Sequence, residues 1–67
     1  MIGPTIEGFR VGQRVRVESP GSPRHDRTGI IVLIEQAHAK TYIFWIDTGN
    51  GQAQPFVSSK LRTVGHP

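Results

Sequence analysis

The sequence predicts a small all-β domain: a barrel of five short strands with one short 3-10 turn before the last strand. Three observations predict it. β-branched and aromatic residues gather in short runs, notably residues 30–34 and 41–46. Glycine, proline, asparagine and aspartate recur between those runs, at the spacing of roughly 8–12 residues typical of small β domains. No segment carries an amphipathic helical period longer than a single turn.

Each element has its own signal. Residues 1–8 hold two glycines and a proline and read as a loose lead-in to a domain over 9–64, with 65–67 as a tail. Gly12 marks a turn. Arg14-Val15-Arg16-Val17 then alternates, which places Val15 and Val17 inward and Arg14 and Arg16 outward. Residues 19–29 carry two prolines, two glycines and no apolar side chain, the composition of a loop. Residues 28–36 form a second strand, because the β-branching of residues 30–34 and the flanking Gly29 argue against a buried helix. That run exceeds what one inner face needs. Some of Ile30, Val32 and Leu33 must point outward unless a bulge turns them in.

Residues 37–40 connect to the third strand, which puts Tyr42, Phe44 and Ile46 inside and Ile43 and Trp45 outside. Asp47, Gly49, Asn50 and Gly51 supply the positive φ values of a tight turn. The next strand holds Pro55, which cannot donate to a ladder, so it belongs at an edge or a bulge. Ser58-Ser59-Lys60 makes the single helical turn, and residues 61–64 make the last strand.

Composition bounds the function. A chain of 67 residues supports one small core, and domains of this size bury only about 60% of their unfolded surface. Such domains often gain stability by oligomerising or docking on a partner. With no cysteine, disulfides and thiolate metal sites are excluded. His25, His38 and His66 show no metal-ligand spacing, so neither a metal nor a cofactor is expected. Net charge is +3, and six of the eight cations are arginine, suited to planar contacts with carboxylate or phosphate. No apolar run approaches the ~20 residues of a membrane-spanning helix. Residues 1–8 lack the regions of a signal peptide, which predicts a cytoplasmic location.

The order Phe9, Val11, Gly12, Val15, Val17, then Thr28-Gly29-x-Ile31, Phe44-x-Ile46-Asp47, and Phe56, Leu61 and Val64 resembles SH3-like barrels. The likeness covers residues 9–64 and is to the KOW-like and photosynthetic-accessory types. Photosystem I subunit IV shares the first strand, the Thr28-Gly29 opening and the third strand that ends in Asp47. The variable chain of ferredoxin–thioredoxin reductase is similar over Val11-Gly12 to Val17. Both resemblances imply a non-catalytic subunit that docks on a partner. KOW-containing transcription and ribosomal proteins share the Gly29-x-Ile31 opening, which implies RNA or protein binding.

Plasmid type II dihydrofolate reductase resembles the chain at Gly12-Gln13-Arg14-Val15-Arg16, and its catalytic stretch lines up with residues 51–56. There Phe56 stands in place of a tyrosine and Pro55 in place of an isoleucine. The missing hydroxyl and N–H put that activity in doubt.

Two groups of side chains are candidates for function. The first is an outer apolar patch of Ile30, Val32, Ile43 and Trp45, with Ile30 or Val32 beside Ile43 and Trp45 on the neighbouring strand. Exposed patches of this kind mark interaction sites, and tryptophan is enriched at binding hot spots. A capping role for Trp45, packed on arginine stems, is the structural counterpart. The second group is Arg14, Arg16, Arg24 and Arg27. They form either a solvated basic surface or a site for an acidic protein or nucleic acid. His25-Asp26 is the sole adjacent acid–base pair, in a loop without a nucleophile at a defined spacing. The expected function is therefore a non-catalytic module that binds a protein partner or a second copy of itself, with nucleic-acid binding as the alternative.

Overall fold

In a computed structural model, residues 5–64 are described. They form one antiparallel sheet of five strands and a 3-10 turn. The strands are β1 (Arg14–Val17), β2 (Thr28–His38), β3 (Thr41–Asp47), β4 (Ala53–Phe56) and β5 (Leu61–Thr63). The turn, Ser58–Lys60, precedes β5 as its serines predict and lies against β3 and β5. Strand order is β4-β3-β2-β1-β5. The expected closure into a barrel is not completed by strand pairing: the sheet is open, with β4 and β5 at its edges. Pro55 thus sits on an edge strand, where its missing N–H is tolerated.

The inner face of the sheet makes the core. Val15, Val17, Ile31, Phe44, Ile46 and Leu61 are fully or almost fully buried, and Phe9 joins them. The Phe9 and Phe44 rings meet edge-on with centroids 5.5 Å apart, a favourable aromatic arrangement. Gly29 occupies the same inner face, opposite Val15. A Cβ there would come within 2.6 Å of the Asp47 carbonyl oxygen and 2.7 Å of Ile46 Cγ2. Close approach of β2 to β3 is what requires glycine at this position.

Two boundaries differ from expectation. Strand β2 runs through Ala37 to His38, so only Ala39-Lys40 turn the chain into β3. The pairing slips between Gln36 and His38, which absorbs Ala37 as an extra residue. In the lead-in, Ile6 and Phe9 exchange backbone hydrogen bonds of 2.7 and 2.9 Å around Glu7 and Gly8. Both of those residues have positive φ, the signature of a type I′ turn. Ile6 packs on the core. Residues 1–4 and the expected tail 65–67 lie outside the described residues.

The proline-rich loop before β2 is a series of tight turns. The Asp26 N–H donates to the Val17 carbonyl and the Val17 N–H donates to the Arg27 carbonyl, each at 2.8 Å. These bonds extend the β1–β2 hairpin to the base of the loop. Among the described residues, no helix is long and apolar enough to cross a membrane.

Candidate functional site

The outer face of β2 and β3 is set by a bulge. Ile31 pairs with Ile46 and Leu33 pairs with Trp45, so Val32 is an extra residue in the ladder. Two residues then oppose one, and the inward positions of β2 change parity. Gly29 and Ile31 face the core before the bulge; Ile34, paired with Phe44, packs on it afterwards. Val32 and Leu33 are both left outside, 46% and 49% exposed.

This corrects the expected patch. The bulge turns Val32 and Leu33 out rather than in. Ile30 pairs with Asp47, not with Ile43 or Trp45. Glu35 stands beside Ile43, and Leu33, absent from the expected group, stands beside Trp45. The expected pairing assumes uninterrupted alternation, and one inserted residue shifts every later partner. Excess aliphatic residues in β2 signal a bulge, but periodicity does not say where it falls.

Trp45 and Ile43 do face away from the core, since their neighbours Phe44 and Ile46 are fully buried. Both are half-buried. The Trp45 indole Nε1 donates to Glu35 Oε1 at 2.7 Å, diagonally across the same face. Trp45 also lies opposite Pro55 of β4. The resulting row, Pro55–Trp45–Leu33 with Val32 beside it, crosses three strands.

The basic residues divide into two sets. Arg14 pairs with Ile30, and Arg16 pairs with Thr28 on one side and Arg62 on the other. All three arginines belong to the outer face, and Arg62 is a member that strand alternation alone does not single out. Glu18 binds two of them, at 3.3 Å from Arg16 and 3.0 Å from Arg62. Arg14 makes no ion pair among the described residues. It lines a recess of about 200 Å³ together with Ile30, Asp47 and Gly49. Arg24 and Arg27 belong to the loop instead. Arg24 is half-buried there, and its Nε finds no hydrogen-bond partner.

His25 has a local role. Its Nδ1 accepts the Ser19 N–H at 3.0 Å, tying the two ends of the loop together. The nearest carboxylate oxygen, on Asp26, is 3.9 Å from Nε2. In the stretch that aligns with the reductase, Phe56 pairs with Phe44 and packs on the core, while Pro55 is exposed. Among the described residues, no three metal-ligating side chains gather at one point.

The outer face of β2 and β3 offers a surface: an apolar row edged by Glu35 and Asp47 along the strands and by arginines on the β1 side. Comparison with protein-family models, with curated proteins and with solved structures found no match to the chain.

Proposed function

We propose that this chain is a non-catalytic binding module that works through protein–protein contacts, as an accessory subunit or by self-association. The binding face is the outer side of β2 and β3, and the arginines beside it select the partner. One observation carries the reading. Val32 and Leu33 are both exposed next to Trp45, where a regular strand would expose only one of them. Contiguous apolar surface of this kind mark sites of association in soluble domains. The meander of β1 to β4, with β5 returning beside β1 after the 3-10 turn, supports reading the fold as a small SH3-like barrel.

Leu33→Asp tests the proposal, because Leu33 lies outside the core and its replacement is expected to leave folding intact. Tagged wild-type and variant chains are used to capture proteins from a lysate of the source cells. Proteins held by the wild type and lost by the variant support the reading. Identical recoveries overturn it.

The KOW-like reading, nucleic-acid binding, draws on the same face through Arg14, Arg16 and Arg62. Glu18 already neutralises part of that charge. Affinity for RNA or DNA that falls steeply with salt, as counterion release requires, would favour this alternative.

A further inference from the structure

We propose that Asn50 is a modification site of the folded chain: its side-chain amide is lost through a cyclic imide formed with Gly51, which leaves aspartate and isoaspartate. This inference stands apart from the binding reading and rests on the turn between β3 and β4.

That turn presents each group the reaction uses. Asn50 is the sole asparagine, and Gly49, Asn50, Gly51 and Gln52 are all exposed. The nucleophile is the backbone nitrogen of Gly51. Its N–H makes no hydrogen bond among the described residues, so no bond has to break before it attacks. The electrophile is Cγ of the Asn50 carboxamide. Its Oδ1 accepts the Gln52 N–H at 3.0 Å. That bond folds the side chain back over the turn. It also holds a donor on the oxygen where negative charge develops during attack. Ring closure is sterically open, because even a Cβ added at Gly51 would meet nothing within 4 Å.

The atoms balance with one water consumed and one ammonia released. The Gly51 nitrogen gives its proton to solvent and bonds to Cγ. The Asn50 Nδ2 takes up a proton and leaves as ammonia. Water then opens the five-membered ring. Cleavage between the nitrogen and Cγ gives aspartate. Cleavage between the nitrogen and the main-chain carbonyl carbon of Asn50 gives isoaspartate. No atom changes oxidation state.

Both products carry a carboxylate, which lowers the net charge by one from +3. The new charge adjoins Gly49, which lines the recess that holds Arg14. Isoaspartate also adds a carbon to the main chain, in a turn whose ends are the register partners Asp47 and Ala53. The edge strand β4 then has to pair across a longer turn.

The test incubates the full chain in mildly alkaline buffer, with a synthetic peptide of residues 47–53 as the unfolded reference. Intact mass and cation-exchange elution follow the conversion of amide to acid. An isoaspartate-specific methyltransferase detects the rearranged product. With its circular dichroism still native, the chain is expected to react within about tenfold of the peptide rate, whereas reaction confined to rare unfolding would run about a thousandfold slower or more. Peptide mapping is expected to place the change at Asn50. Asn50→Gln keeps a carboxamide but can close only a larger ring, so it is expected to hold its mass and elution over the same period.

A folded chain slower than that tenfold range overturns the proposal, because the fold then protects Asn50. A change mapped to another residue also overturns it, as does an Asn50→Gln chain that converts as fast as the wild type.

Discussion

Leu33 sits directly across the β2–β3 ladder from Trp45, and it does so because Val32 is looped into the strand as an extra residue. That pairing puts a fully apolar contact on the solvent side of a sheet whose core is complete without it. The stability of the chain and the purpose of this face are therefore separable by mutation.

Substitution of Leu33 is the simplest separation. Surface changes away from special features alter stability by within about 0.5 kcal/mol. Leu33→Asp is expected to show a near wild-type urea midpoint together with lost association. A large fall in the midpoint would mean that Leu33 supports the fold itself.

Deleting Val32 probes the bulge. Without it, Ile31, Leu33 and Ile34 fall into plain alternation, with Ile31 and Ile34 inside and Leu33 outside. The pairs Leu33–Trp45 and Ile34–Phe44 survive. The deletion variant is expected to unfold cooperatively, with a loss near the typical ~1 kcal/mol of a single change. A chain that no longer folds would show that the local twist given by the bulge is needed to wrap the core.

Gly29→Ala addresses the close approach of β2 to β3. The added methyl meets backbone at the Asp47 carbonyl, which cannot rotate away. Overpacking of this kind costs about 1–3 kcal/mol. Chemical denaturation measures it, and an unchanged midpoint would contradict the packing described.

Glu18 holds Arg16 and Arg62, with side chains one-third to one-half exposed. Such pairs contribute about 0–1 kcal/mol, so Glu18→Gln is expected to leave stability nearly unchanged. It also frees two arginines on the outer face. Elution from an immobilised polyanion is expected to move to higher salt, and an unshifted elution would show that these arginines do not face the ligand.

Much of the fold was legible in the sequence, for physical reasons. Val15 and Val17 alternate with arginines, and Phe44 and Ile46 alternate with Ile43 and Trp45, so two strands declare their inner faces directly. Pro55 and Ser58-Ser59-Lys60 mark an edge strand and a turn through backbone chemistry alone. The register of β2 was not legible. A run of aliphatics looks the same whichever residue is bulged, and the choice of Val32 follows from pairing with β3. Leu33 and Glu35 were missed as neighbours of Trp45 and Ile43 for that one reason. Arg62 escaped notice because its place beside Arg16 depends on β5 returning to pair with β1, a contact distant in sequence. The part played by His25 in closing its loop was equally hidden, since it depends on a backbone N–H six residues earlier.

The central claim is that another protein chain covers the row containing Trp45. Trp45 is the sole tryptophan, so its fluorescence reports on that row alone. The most direct measurement is acrylamide quenching of Trp45 in the isolated chain and in its complex with a second copy or with a partner free of tryptophan. Quenching is predicted to fall on association, as the half-buried indole becomes enclosed. Equal quenching in the free and associated chain would place the interface elsewhere and contradict the account.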